Sequence, residues 1–218
     1  MINSLSKQVL TDTWVKATWD EFIAVAYEDP AYVEGKAYFY AGYMRIETAA
    51  SGVGHSRQHG VVWNVITLFT AANRTDITKY VNSSFQKASE KEFQPDAAFY
   101  IGVSSKYLPP QNDFPVNIDL FGSPTLVVEV GVSSVGDDLG RKRMLYERVG
   151  VQEYWVVDVQ TQAVVAFGIE DEWSGRIRTS AVLPGLEMNV IEEALRRSQT
   201  ENDGAIAQWL VKTFEEKD

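Results

Sequence analysis

The sequence predicts an α/β chain in which a mixed sheet is flanked by helices and entered through an N-terminal hairpin. Three observations carry this. Strand, helix and strand follow one another from Thr125 to Val157, the pattern of a crossover that lays two strands parallel. Two pairs of short aromatic and β-branched runs, Lys36–Tyr40 with Met44–Thr48 and Ala163–Ile169 with Arg176–Val182, read as antiparallel hairpins. Apolar residues recur at helical spacing in the segments between them.

Thr13 to Tyr27 reads as an amphipathic helix through Trp14, Trp19, Phe22, Ile23 and Ala26, ended by Asp29-Pro30. The first hairpin turns at Ala41-Gly42. A second helix, about His55 to Ala72, shares one face among Val62, Ile66 and Phe69. Strands follow at Ile77–Phe85 and Asp96–Ile101. Ser104 to Pro124, rich in Pro, Asn and Asp, has no clear period and reads as a long surface loop, a length more often functional than neutral. After the strand Thr125–Val130, a helix over Asp137–Val149 closes on Gly150 in the position of a C-terminal glycine cap. The strand Glu153–Val157, the second hairpin, a helix near Ile191–Arg197 and a tail helix over Ala205–Phe214 complete the order.

At 218 residues the chain fits one domain, long enough to bury about 70% of its extended surface. No run approaches the roughly 18 uncharged apolar residues of a membrane span, and Met1 to Lys16 lacks the pattern of a signal peptide. The absence of cysteine excludes disulfides, thiolate metal sites and thiol nucleophiles, and makes a cytoplasmic location the default expectation. A net charge of −10 argues against a protein that coats nucleic acid, although acids gathered at a metal site inflate such a count.

The chemistry concentrates in two acids. Glu129 stands inside the apolar run Thr125-Leu126-Val127-Val128-Glu129-Val130, and Pro95-Asp96 opens the run Ala97-Ala98-Phe99-Tyr100-Ile101. A carboxylate removed from water costs several kcal/mol unless a metal ion, a cation or a proton compensates it. Asp96 alone reads as a turn residue after proline, and Glu129 alone as a pleat-edge acid; their apolar settings favour a shared site.

Helical spacing adds a third member. The inward stripe of the helix Asp137–Val149 runs through Leu139, Leu145, Tyr146 and Val149, and its continuation lands on Lys142, a lysine in a core slot. Arg141, Arg143, Glu147 and Arg148 fall off that stripe and suit a solvated face. Tyr146, Tyr154 and Trp155 read most simply as core aromatics, although Tyr146 shares the stripe and could hydrogen-bond at the site, to substrate or water. Asp137 and Asp138 read as helix N-caps, His59 as a surface polar residue, and nothing in its context decides Glu153. Two carboxylates and a lysine suit metal-assisted phosphodiester hydrolysis, with Mg2+ held by hard oxygen ligands.

These residues resemble the PD-(D/E)XK nuclease superfamily and, within it, the Uma-two family of restriction endonuclease-like proteins. The resemblance runs from about Met44 to Leu195. It is carried by Met44-Arg45-Ile46-Glu47, His55, Gln94-Pro95-Asp96, Leu126-Val127-Val128-Glu129-Val130, the stretch Asp137–Glu147 and the stretch Gly150–Asp158. It implies a restriction endonuclease-like fold, a Mg2+- or Mn2+-dependent endonuclease activity, a nucleic-acid substrate with DNA favoured over RNA, and a homodimer. The superfamily places its lysine two residues after the glutamate, where this chain has Gly131; in the family resembled, the lysine stands at the position of Lys142. By the same resemblance Asp96, Glu129 and the main-chain carbonyl of Val130 are metal ligands, Glu47 completes a second metal position, and His55 contacts phosphate or water. The competing expectation is a catalytically silent metal-binding or protein-interaction module on the same fold.

Overall fold

The computed structural model describes residues 9–48, 53–106, 108–131 and 134–215, with only the backbone of 53–55. Among the described residues the strands form two six-stranded sheets rather than one.

The first element is β1 (Val15–Lys16), paired with Met44 and Tyr43. The helix expected from Thr13 therefore starts later, as α1 (Trp19–Ile23), because Thr18 makes a capping box with Glu21: Thr18 Oγ1 accepts from the Glu21 amide, and the Glu21 carboxylate accepts from the Thr18 amide. It runs on through a wider, π-helical turn, Ala24–Glu28. The hairpin β2 (Lys36–Tyr40) and β3 (Tyr43–Glu47) turns through Ala41 and Gly42, whose φ angles of 51° and 75° suit a two-residue turn matched to strand twist. Helix α2 covers Val53–Ala72.

The strand expected over Ile77–Phe85 divides. β4 (Ile77–Val81) joins one sheet, the chain turns at Asn82 with φ 51°, and β5 (Phe85–Lys87) joins the other. A short β6 (Lys91–Phe93) pairs with β2 and β5, and Gln94-Pro95-Asp96 then carries the chain across to β7 (Ala97–Ile101) in the second sheet. The segment expected to be loop holds a 3-10 turn (Gly102–Lys106), β8 (Val116–Asn117) and α3 (Ile118–Phe121). Next come β9 (Leu126–Gly131), α4 (Val135–Asp137), a π-helical turn (Asp138–Lys142) and α5 (Arg143–Val149). Gly150, at φ 78°, caps α5 as expected. The chain ends with β10 (Glu153–Asp158), β11 (Ala163–Glu170), β12 (Trp173–Ile177), α6 (Met188–Arg197) and α7 (Asp203–Glu215).

One sheet runs β1-β3-β2-β6-β5-β8 and the other β12-β11-β10-β9-β7-β4. The expected crossover is present: β9 and β10 are parallel, from Leu126 opposite Glu153 to Gly131 opposite Asp158. Every residue of β9 is buried, so its alternation decides which core each side chain enters. Leu126, Val128 and Val130 pack with Val62, Ile66, Ile191 and Leu210 under the helices α2, α6 and α7. Val127 faces the other way, among Tyr38, Phe93, Tyr146 and Tyr154. Glu129 shares that second face, between the two sheets.

Two buried acids away from this face matter for stability. Glu153 accepts hydrogen bonds from Trp155 Nε1 at 2.9 Å, Ser180 Oγ at 2.8 Å and the Val182 amide at 3.1 Å, so the undecided acid pins the turn that leads toward α6. Glu92, on β6, accepts from the Tyr27 hydroxyl and from Gln86 Nε2, and burial pushes its carboxyl up to about 7 against those bonds. Between the unfolded value near 4.5 and about 7, the folded chain holds a proton that the unfolded chain has released. Stability from this group is therefore full below the lower value and lost as pH rises through the window. Glu92→Gln is expected to match wild type in urea unfolding at pH 4.5 and to exceed it by about 3 kcal/mol at pH 8. A constant difference across that range would mean that Glu92 does not titrate in the window.

Candidate active site

A cleft of about 740 Å³ opens between the sheets, and Lys36, Glu47, His59, Asp96, Glu129 and Lys142 all line it. Asp96 lies at the crossing from one sheet to the other, and Glu129 on the adjoining strand, with Ala97 opposite Val128. The two are tied through the backbone. The Val130 amide donates to Asp96 Oδ2 at 2.7 Å, and the Asp96 amide faces Glu129 Oε2 at 3.4 Å. The Gly131 carbonyl accepts from the amide of Val159, just beyond β10, so strand alternation turns the peptide groups of Val130 to the other edge of β9, the side on which Asp96 meets its amide. Asp96, Glu129 and the Val130 amide thus meet beside β9.

Glu129 is 2% exposed and is fixed by hydroxyls: Tyr146 donates to Oε1 at 2.6 Å, and Tyr38 lies 3.1 Å from the same oxygen. The Tyr38 hydroxyl also reaches the Gln94 carbonyl at 2.7 Å, linking the hairpin to the crossing. Lys142, 1% exposed, stands among Glu47 at 2.8 Å, Asp138 at 3.0 Å, the Tyr38 hydroxyl at 3.2 Å and Glu129 at 3.6 Å. The inward placement read from helical spacing agrees with this. The backbone breaks helical geometry at Gly140 (φ −103°, ψ −108°), yet Asp138 and Lys142 both point inward as an i, i+4 pair.

Asp138 is therefore not a helix cap: it is 1% exposed, accepts from Ser134 Oγ at 2.8 Å and pairs with Lys142. Asp137 accepts from Trp14 Nε1 at 2.6 Å and lies 3.4 Å from Arg45 Nε, which also binds Glu47 at 2.8 Å. Ligand atoms of Glu47, Asp137 and Asp138 lie within 4.8 Å of one another. Lys36 pairs with Asp96 Oδ1, and His59 Nε2 is 3.7 Å from Asp96 Oδ2. The His55 side chain lies outside the described residues. Arg141, expected on a solvated face, stacks its guanidinium over Tyr43, 4.1 Å from the ring centroid.

The proton affinities follow from these pairs. Burial drives the Glu129 carboxyl up to about 8, with Lys142 opposing. Burial also raises Asp138 overall, although Lys142 pulls the other way. For Asp96 and Glu47 burial acts upward but loses: Lys36 and His59 hold Asp96 below the usual carboxylate range, and Lys142 and Arg45 do the same for Glu47. Burial acts to lower the Lys142 ammonium, but Glu129, Asp138 and Glu47 outweigh it and raise it. Five carboxylates, Glu47, Asp96, Glu129, Asp137 and Asp138, thus face three cations, Lys36, Arg45 and Lys142. Hard oxygen donors with this deficit of positive charge at Glu129 fit a divalent ion.

At the position two residues after Glu129 a side chain would displace its neighbours. A Cβ on Gly131 would stand 2.5 Å from Ser134 Oγ and 2.9 Å from Asp138 Oδ2. Lys142 brings an ammonium to the same neighbourhood from the next helix.

A mixed α/β fold with an acidic, lysine-bearing cleft where the central strands meet the hairpin sheet is of the restriction endonuclease-like class. The family described as "Uma2: Putative restriction endonuclease" matches residues 19–203, and the chain belongs to that family. Four chains of solved structures match. One of them is described as "a putative nuclease belonging to DUF820 from Anabaena variabilis"; it is 16% identical, with a TM-score of 0.55 over 82% of this chain and 98% of that chain. At that identity the likeness shows the fold. No curated protein matches the chain. Among the described residues no helix is long and apolar enough to cross a membrane.

Proposed function

We propose that the chain is a Mg2+-dependent endonuclease that hydrolyses phosphodiester bonds of nucleic acid, DNA in preference to RNA. The observation that carries this reading is the Asp96–Glu129 pair, cross-tied through the Val130 and Asp96 amides at the wall of an open cleft. Asp96, Glu129 and the Val130 carbonyl would hold the ion. When bound, it supplies Lewis acidity to the phosphate and acidifies the attacking water. Tyr146 and Tyr38 hold the Glu129 carboxylate in one rotamer, which keeps the donor set preorganised. Glu47 is matched by two buried cations, Arg45 and Lys142, whereas the lysine on Asp96 is the more exposed Lys36, so we assign the ion to Asp96 and Glu129 and give Glu47 the task of holding Lys142.

Because the site draws on both sheets, residues 1–218 are taken as one domain. Cutting both strands of a duplex with one such site per chain calls for two chains, and a homodimer in the cytoplasm is part of the same proposal. The test is incubation of the protein with plasmid, single-stranded DNA and RNA in Mg2+, in Mn2+ and in EDTA. Metal-dependent cleavage, strongest on DNA, is the expected result. Inertness on all three substrates, with Mn2+ binding retained, would instead support a silent metal-binding module.

A further inference from the structure

Lys142 is enclosed by protein groups and closed to solvent. Its ammonium donates to the Tyr38 hydroxyl at 3.2 Å and is flanked by the carboxylates of Glu47 at 2.8 Å and Asp138 at 3.0 Å, so three protein oxygens surround it. Arg45, also lining the cleft, is engaged with Glu47 and Asp137, and its side chain is 7% exposed. Among the described residues, the remaining Lys or Arg of the cleft lining is Lys36, at the start of β2, with its side chain 20% exposed and its ammonium on Asp96 Oδ1.

That oxygen belongs to a carboxylate assigned above to the ion. An ammonium and a divalent ion cannot share it without mutual repulsion, which in a partly buried cleft is large compared with thermal energy. The lysine stem is long and flexible, with its partner carboxylate inside and solvent outside. We propose that Lys36 is a displaceable counter-ion: it neutralises Asp96 until a divalent ion binds, and then turns to a non-bridging oxygen of the substrate phosphate. This rests on the metal-site reading above. It separates two tasks: Lys142 positions Glu129 and Glu47 from within, and Lys36 meets the substrate.

Calorimetric titration with Mn2+ of wild type, Lys36→Gln and Lys36→Arg tests the first half. Lys36→Gln is expected to bind Mn2+ about tenfold more tightly than wild type, since the competing charge is gone. Lys36→Arg, which keeps a charge and offers a two-pronged grip on Asp96, is expected to bind severalfold more weakly. Fluorescence anisotropy with labelled duplex DNA and duplex RNA, Ca2+ replacing Mg2+, tests the second half. Lys36→Gln is expected to lose affinity, with the salt dependence of binding reduced by about one phosphate contact. Equal or weaker Mn2+ binding by Lys36→Gln, or tighter binding by Lys36→Arg, overturns the counter-ion role while leaving the metal site standing. An unchanged salt slope, or no binding of either duplex by wild type, overturns the phosphate contact. Failure of wild type to bind Mn2+ overturns the metal-site reading and this inference with it.

Discussion

Glu129→Gln and Asp96→Asn are each expected to lower Mg2+-dependent cleavage by at least about 10³-fold, a loss of about 4 kcal/mol of transition-state stabilisation. Both substitutions keep the shape of the side chain and remove one charge from the pair that would hold the ion. Their stabilities are expected to diverge. Glu129 sits in a position where burial pushes its carboxyl up to about 8, so an amide there makes the metal-free chain at least as stable as wild type. Asp96 is held low by Lys36 and His59, so its amide leaves Lys36 without its counter-charge and weakens the fold. Cleavage rates and urea unfolding in EDTA, measured on the same preparations, separate the two. Normal cleavage by Glu129→Gln would remove that carboxylate from the site.

Lys142→Met is expected to cost about 3–5 kcal/mol of folding stability, because it leaves Glu129, Asp138 and Glu47 buried without their shared ammonium. Only Glu47 keeps a cationic partner, Arg45. Methionine matches the stem, so the loss reports the charge and not a cavity. Adding Asp138→Asn removes one of the stranded charges, and the double variant is expected to recover part of the loss, a coupling that a double-mutant cycle measures directly. A Lys142→Met protein as stable as wild type but inactive would assign Lys142 to the reacting phosphate and not to the positioning of Glu129 and Glu47.

Several features of this site were legible in the sequence because they violate local rules. Glu129 stands in a strand buried on both faces, and Lys142 occupies a slot that helical spacing reserves for a hydrophobe; each conflict marks a place where a partner must exist. The parallel β9–β10 pair was legible from the strand–helix–strand order, and the turn at Ala41-Gly42 and the cap at Gly150 from turn chemistry. Lys36 violates nothing. A lysine opening a hairpin strand is ordinary, and its contact with Asp96 depends on how β2 and the β6–β7 crossing approach in space. Asp138 followed the usual habit of an acid at a helix start, and its burial arises from the π-helical turn that runs into Lys142. The division of the strands into two sheets was hidden for a related reason. β5 and β6 have three residues each, too short for a period, and sheet membership is settled by pairing across Gln94-Pro95-Asp96.

Gly131 ties the strand to the helix that follows it. With Ser134 Oγ and Asp138 Oδ2 occupying the space where a side chain would begin, any residue larger than glycine at this position has to move both of those groups. Such a movement disturbs the Ser134–Asp138 contact and, through Asp138, the pair with Lys142. Strand position and helix lysine are thus coupled: a side chain added at Gly131 is felt at Lys142 through Ser134 and Asp138.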